Sequence, residues 1–153
     1  MHQVYSPATQ PQLFRDVRRR RILAFALDLL IVGAFVLVSA FFVFIFGLLT
    51  FGLGWILFAA LVPAVAVLYV AFTVGARQAT WGMRAMGITM RMWYGGRPDF
   101  WIGAAHAVLF WASSGLLPLI VLLPPLFDPR KRMLHDMVLG TVLLDEASLT
   151  TGP

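Results

Sequence analysis

Residues 18–30 read RRRRILAFALDLL, so four arginines lead directly into an apolar run that carries one carboxylate, Asp28. Within residues 22–76 Asp28 is the only charged residue, and residues 100–127 contain no charge at all. A bilayer core about 30 Å thick requires about 20 apolar residues per spanning helix. The first apolar block is therefore long enough for two spanning helices, and the second for about one.

The overall composition agrees with a membrane location. The chain of 153 residues is 60% hydrophobic and 12% charged, with a mean hydropathy of +0.84, whereas soluble proteins carry about 25% charged residues. The net charge of +5 would suit a nucleic-acid-binding protein. However, the arginines flank the apolar runs, as is typical of topology determinants and anionic-lipid contacts. We therefore expect an all-α integral membrane protein in contact with anionic lipids, and no nucleic-acid partner.

The pattern of apolar and polar segments predicts one membrane domain between two short tails. The connection between the second and third apolar regions alternates weakly over Gly87–Trp93, which favours a short strand over an interfacial segment. The predicted segments are a flexible tail at 1–14, a membrane domain at 15–145 with helices near 22–46, 55–74 and 100–127, and a tail at 146–153.

The distribution of basic residues predicts how the chain crosses the membrane. Residues 15–21 hold five arginines and one aspartate, and the connection 75–99 holds four arginines, so both should be cytoplasmic. A third complete crossing would place Arg130-Lys131-Arg132 outside, against this rule. A broken, re-entrant hairpin folded at 113–118 would keep that triplet inside. We favour the hairpin, although a block of this length is short for two helices, and we expect both termini in the cytoplasm.

Asp28 is the most informative polar residue of the first helix. Arg21, Ala24 and Asp28 share one helix face because they are spaced i, i+3 and i+7, and Asp28 lies about 10 Å deeper than Arg21. A charged side chain at the centre of a spanning helix costs about 2.5–3.5 kcal/mol. Asp28 should therefore face protein and pair with Arg21, Arg84, His106 or an arginine of another subunit; the alternative is that it lies near enough to the interface to stay hydrated. The small Ala24 would let another helix approach closely.

Three segments of the chain, in order, resemble the motifs of one family. Arg21-x-x-Ala24-x-x-x-Asp28 is similar to the opening motif of the RDD family, small bacterial membrane proteins named for one arginine and two aspartates. Residues 80–88, TWGMRAMGI, resemble the family's segment after the second helix, and residues 132–141, RMLHDMVLGT, resemble its closing segment. The resemblance covers residues 20–144.

The resemblance assigns the family's three named residues to Arg21, Asp28 and Asp136. His135 and Asp136 are either an interfacial charge group or, as the resemblance and two cytoplasmic ends would imply, Asp136 contacts Arg21 or Arg84. The sequence departs from the family pattern at Trp81, where proline is usual, and at Met83, where lysine is usual. The family pattern has a basic residue, often arginine, at the position of His106. Histidine can form an ion pair with a buried carboxylate only when it is protonated.

The remaining polar residues offer no recognisable reaction centre. His106 is a hydrogen-bonded structural group, a proton-relay member or, least favoured, a metal ligand. The chain has no cysteine, and its three histidines are scattered, so we expect no metal site, cofactor or enzymatic activity. The predicted polar cluster comprises Arg21, Asp28, Arg84, His106, Arg132, His135 and Asp136.

Two functions from different classes remain open for this cluster. The favoured one is a scaffold or accessory subunit of a membrane complex in the inner (cytoplasmic) membrane, in which the cluster fixes helix packing. The alternative is a cation/proton antiport-like pathway in which Asp28 titrates. That pathway would need a homo-oligomer, because two or three helices are too few to enclose it alone.

Overall fold

The structure is a computed structural model that describes residues 5–116 and 134–150. It is mostly helical, as the sequence predicts, with one small sheet. The described elements, in chain order, are a 3₁₀ helix Pro11–Phe14, α1 Val17–Leu49, a 3₁₀ helix Leu53–Leu57, α2 Phe58–Arg77, α3 Trp81–Ala85, β1 Ile88–Met92, α4 Phe100–Leu116, α5 Leu134–Leu139, β2 Thr141–Asp145 and α6 Glu146–Thr150.

Helices α1 and α2 are both long and apolar enough to cross a membrane. Helix α1 has 33 residues and is therefore about 50 Å long. It begins before the predicted Ile22 because the preceding arginines are good helix formers. Helix α2 retains Pro63 in its interior, which is tolerated where neighbouring helices and water satisfy the freed carbonyl.

Helix α4 packs along α2 through small residues. A Cβ added at Gly75 would lie 2.8 Å from the backbone of Phe100, and one added at Gly103 would lie 3.0 Å from Ala71 Cα. Such close approach of two backbones is how helices gain packing energy in lipid. It also fixes the beginning of α4 beside the end of α2.

Residues 88–92 form a strand, so the predicted strand in the connection is confirmed. Strand β1 pairs with β2 in an antiparallel ladder that aligns Ile88 with Asp145 and Met92 with Thr141. The backbone N–H of Met90 donates to Gln78 O, on the other edge of β1. The sheet is thus joined both to the end of α2 and to the last part of the chain.

The buried core lies at one end of the long helices. It is formed by apolar side chains from α1, α2, α3 and both strands: Val17, Ala24, Val74, Ala79, Met83, Ile88, Met90 and Leu143. We call this end, where α1 begins and α2 ends, the basic end, because residues 15–21 and Arg77 lie there. Beyond it, α1 and α2 expose large apolar side chains, as expected of surfaces that face lipid tails.

The two ends of the described chain are folded together rather than loose. Leu13 and Phe14 are buried against Val142 and Leu144, and Leu149 of α6 packs at the same cluster. Residues 11–14 and 146–150, which lie within the two predicted tails, take part in this packing. Their apolar side chains cover the sheet face that α1 leaves open.

The choice between a third span and a hairpin at 100–127 lies mainly outside the described residues. Helix α4 is described to Leu116, and residues 117–133 are not described. Helix α4 starts at the basic end, beside Gly75, and after the gap β2 lies at that end again, paired with β1.

Candidate functional site

The Asp28 cluster consists of Asp28, Tyr69, Thr80 and Gly82. Asp28 Oδ1 accepts hydrogen bonds from the hydroxyl of Tyr69 at 2.5 Å and from the backbone N–H of Gly82 at 2.8 Å. Asp28 Oδ2 accepts from the Thr80 hydroxyl at 2.5 Å. One carboxylate on α1 thus joins α2 to the start of α3.

The groups that bind Asp28 are themselves held in place. Thr80 is the N-cap of α3, and its Oγ1 also accepts from the backbone N–H of Met83 at 3.1 Å. The Tyr69 hydroxyl accepts from the backbone N–H of Trp81 at 3.1 Å. A Thr-x-Gly sequence suits this arrangement. Threonine caps the helix, and glycine, which has no Cβ, lets Asp28 reach the backbone N–H of the second helical residue.

Gly82 allows α3 to touch α1 directly. A Cβ at this position would collide with the carbonyl oxygen of Ala24 and would lie 2.7 Å from Asp28 Cγ. Ala24 is itself buried, with 2% of its surface exposed. The predicted close approach at Ala24 is therefore present, but the element that approaches is the short helix α3 rather than another spanning helix.

Asp28 faces protein, as predicted, but its contacts within this chain differ from the expected ones. Its partners are two hydroxyls and one backbone N–H. None of Arg21, Arg84 or His106 in the described part of the chain reaches it. A carboxylate in apolar surroundings needs hydrogen-bond donors, and neutral donors meet that need as well as a cation does. Pairing with an arginine of another subunit stays a prediction.

The Asp136 cluster consists of Arg21, His106, Asp136 and Thr141. Arg21 Nη2 lies 2.5 Å from Asp136 Oδ2, and the Thr141 hydroxyl donates to Oδ1 at 3.3 Å. His106 Nδ1 lies 3.5 Å from the same Oδ1. Asp136 is completely buried, and Arg21 is 9% exposed. Of the two contacts of Asp136 that the family resemblance implies, with Arg21 or with Arg84, the structure has the one with Arg21.

The cluster gathers residues that are distant in sequence. Arg21 comes from α1, His106 from α4, Asp136 from α5 and Thr141 from β2. One residue before Arg21, Arg20 forms a second ion pair with Asp145, at 2.6 Å. The start of α1 is therefore linked to the end of the chain at two points.

Of the other predicted members of the polar cluster, the structure describes only the side chain of Arg84, which joins neither group. Arg84 is exposed on α3, and no ion pair involves it within residues 5–116 and 134–150. Arg132 and the side chain of His135 lie outside what the structure describes. The predicted set thus divides into an Asp28 cluster and an Asp136 cluster rather than forming one.

Tyr69 is a site residue that the sequence pattern did not predict. The signal available was weak, because a tyrosine in an apolar helix usually reads as an interface or packing residue. Thr80 and Gly82 belong to the segment 80–88 that resembles a family motif, but no contact with Asp28 was predicted for them. The available signal was their position at the start of a helix, with Thr80 as the N-cap and Gly82 as the second helical residue. Free hydrogen-bond donors at a helix start can bind a carboxylate.

The two clusters hold chain segments together and present no recognisable catalytic arrangement. Among the described residues no group of three or more histidine, cysteine, aspartate or glutamate side chains is placed to hold a metal ion. Every carboxylate oxygen of Asp28 and Asp136 has a polar group of this chain within 3.5 Å. Their evident effect is to fix α3, α4 and α5 onto the first two helices.

Comparison with known proteins places this architecture in one family. The family model described as RDD family matches residues 17–140, a range that contains Arg21, Asp28 and Asp136. Comparison with curated proteins and with solved structures gives no match. Because the family model covers most of the chain, and because the structure has two apolar helices of spanning length, the chain belongs to the RDD family of membrane proteins.

Proposed function

We propose that this protein is a non-enzymatic scaffold or accessory subunit of a membrane complex. In this proposal the Asp28 cluster and the Asp136 cluster keep a rigid, basic surface attached to the helices that anchor it. The protein would reside in the inner membrane with its basic end in the cytoplasm. Its partner would be another membrane protein or further copies of this chain.

The observation that carries the proposal is the complete engagement of Asp28. Both of its oxygens accept hydrogen bonds, and the three donors come from α2, the α3 N-cap and α3 itself. A carboxylate that moved ions or protons through a pathway would need room for its ligand to arrive and leave. Here the surrounding groups are arranged to immobilise the side chain, which fits an architectural role.

The Asp136 cluster supports the same role at a second place. Its ion pair is almost completely removed from water, with side-chain exposures of 10% for Arg21 and 0% for Asp136. Buried pairs of this kind contribute little net stability but strongly oppose any arrangement that separates them. The cluster would therefore specify how α1, α4 and α5 meet.

The proposed orientation rests on where the positive charges lie. Exposed arginines at 15, 18, 19, 77, 84 and 97 flank the beginning or end of the membrane helices. Basic residues next to spanning helices are retained on the cytoplasmic side during insertion. The opposite end of α1 and α2, residues 47–57, carries no charge. The charged residues that flank these two helices therefore all lie at the basic end.

An ion or proton pathway is the alternative, and His106 is the observation in its favour. It is a buried titratable side chain next to a buried carboxylate, which is a common arrangement in proton relays. The two spanning helices of the described chain cannot enclose a path. This function would therefore depend on an oligomer.

Copurification with Asp28 variants tests the proposal. Tagged wild type, Asp28→Ala and the control Asp16→Asn would be purified in mild detergent, and the masses of the copurifying proteins compared. Asp16 is an exposed carboxylate at the start of α1 without a side-chain hydrogen bond at that N-cap. We expect Asp16→Asn to retain the wild-type partners and Asp28→Ala to lose them.

Vesicles provide the complementary measurement. Wild type and Asp28→Asn would be reconstituted, and pH changes inside the vesicles followed while cation gradients are imposed. A cation-driven pH change that Asp28→Asn abolishes in a folded protein would contradict the scaffold. Purification of the wild type as a monomer without any partner would contradict it as well.

A further inference from the structure

The four arginines at 18–21 divide into two that point inward and two that do not. Arg20 pairs with Asp145 and Arg21 pairs with Asp136. Arg18 and Arg19 are exposed, and neither forms an ion pair with any part of the chain that the structure describes. The guanidinium groups of Arg18 and Arg19 are thus available to bind an anionic ligand outside this chain.

The side chains beside Arg18 and Arg19 on α1 indicate which kind of anionic ligand they fit. Residues four and eleven positions further along a helix lie on the same face. For Arg18 these residues are Ile22 and Leu29, 62% and 58% exposed, and for Arg19 they are Leu23 and Leu30, 47% and 72% exposed. Each arginine therefore stands at the end of a stripe that faces lipid tails.

The distance along the helix matches the structure of a bilayer. Four residues correspond to about 6 Å of helix axis. The guanidinium groups therefore lie about one helical turn from the first side chains that touch lipid tails. Lipid phosphates occupy this layer, and the arginine fork fits phosphate oxygens in pairs.

Helix α3 repeats the same order of groups. Trp81 is 49% exposed, and its ring centroid lies 6.1 Å from that of Phe35. Gly82 meets Asp28, and Gly87 lies near Arg20, so α3 runs back toward the basic end. The exposed Arg84 therefore lies closer to the basic end than Trp81, as Arg18 does relative to Ile22.

We propose that Arg18 and Arg19, together with Arg84, bind the headgroups of anionic phospholipids. A lipid fits better than a nucleic acid or an acidic protein, because the arginines continue directly into exposed leucine and isoleucine side chains. A ligand that meets both surfaces must carry an anionic group and hydrocarbon tails. The site therefore selects anionic over zwitterionic lipids in the leaflet at the basic end.

Fluorescent lipid binding to the purified protein tests this proposal. The full chain in neutral detergent would be titrated with labelled phosphatidylglycerol and, separately, labelled phosphatidylcholine, using energy transfer from its tryptophans. The variants are Arg18→Gln/Arg19→Gln, and Arg18→Lys/Arg19→Lys as the control that keeps the charge. Circular dichroism would establish that each variant is folded.

We expect tighter binding of phosphatidylglycerol than of phosphatidylcholine, and weaker binding as salt rises from about 50 to about 300 mM. The glutamine pair should weaken phosphatidylglycerol binding about thirtyfold at low salt, or about fivefold for each arginine, and the lysine pair should retain most of it. Equal binding of the two lipids by the wild type, or no salt dependence, would overturn the proposal. So would tighter binding of duplex DNA or of polyglutamate, or an unchanged affinity in the folded glutamine pair.

Discussion

Asp28 is held by neutral donors, and this changes what its replacement should cost. In Asp28→Ala, the Tyr69 hydroxyl, the Thr80 hydroxyl and the Gly82 N–H lose their acceptor together. Each buried donor left without a partner costs about 1–3 kcal/mol. We expect the free energy of unfolding in detergent to fall by about 3–6 kcal/mol, measured by denaturant titration.

Asp28→Asn should be clearly milder than Asp28→Ala. The asparagine carbonyl can still accept from Tyr69 and Gly82, and its amide can donate to the Thr80 oxygen. No charge is stranded, because Asp28 has no cationic partner among the described residues. We expect a loss of about 1–3 kcal/mol, corresponding to weaker, uncharged hydrogen bonds. An alanine variant as stable as the asparagine variant would contradict the described contacts.

Gly82 permits a second test at the level of a single residue. In Gly82→Ala the new methyl group would collide with Ala24 O and Asp28 Cγ, so α3 should separate from α1. Gly33→Ala is the matched control, because a Cβ at Gly33 meets nothing within 4 Å. We expect Gly82→Ala to lower the thermal midpoint by several degrees, and Gly33→Ala to leave it unchanged or raise it slightly. Similar midpoints for the two variants would speak against the contact.

At the scale of elements, the two adjacent arginine pairs should differ in strength. Arg21 and Asp136 have side-chain exposures of 10% and 0%, whereas those of Arg20 and Asp145 are 37% and 11%. Removing one partner of a buried pair costs about 3–5 kcal/mol by stranding the other charge. Partly exposed pairs contribute about 0–1 kcal/mol because water screens them.

Arg21→Gln should therefore destabilise the protein far more than Arg20→Gln. Unfolding titrations of both variants, together with the double variant Arg21→Met/Asp136→Leu, would measure the difference. We expect the double variant to recover much of the loss, since it removes both charges and leaves apolar groups. Equal losses for the two single variants would show that burial does not decide the strength of these pairs.

The elements of this fold differ in how far the sequence predicts them. Helices α1 and α2 and strand β1 follow from apolar length and from the alternation over Gly87–Trp93. Strand β2 does not, because five residues near the end of the chain carry no signal for a partner about 50 positions earlier. The same limit applies to the site: Asp28 is recognisable as a carboxylate that faces protein, but its hydroxyl partners on α2 and at the N-cap of α3 depend on tertiary packing.

At the scale of the whole molecule, both ends of the described chain lie at the basic end. Leu13 and Phe14 pack on Val142 and Leu144, and Asp145 pairs with Arg20. We therefore expect the beginning and the end of the membrane domain to lie on the same side of the bilayer. In the orientation proposed from the charge asymmetry, that side is the cytoplasm.

Cysteine labelling in intact cells tests this topology, and the chain has no native cysteine to interfere. Single cysteines would replace Thr9, Thr150 and, as the control from the opposite end, Phe51, which is fully exposed. A membrane-impermeant maleimide should label only position 51 until the membrane is permeabilised. Positions 9 and 150 should then become reactive together, because their segments pack on one sheet. Labelling of position 150 but not position 9 from outside would require an odd number of crossings between them, which is incompatible with the contacts of Arg20 and Arg21.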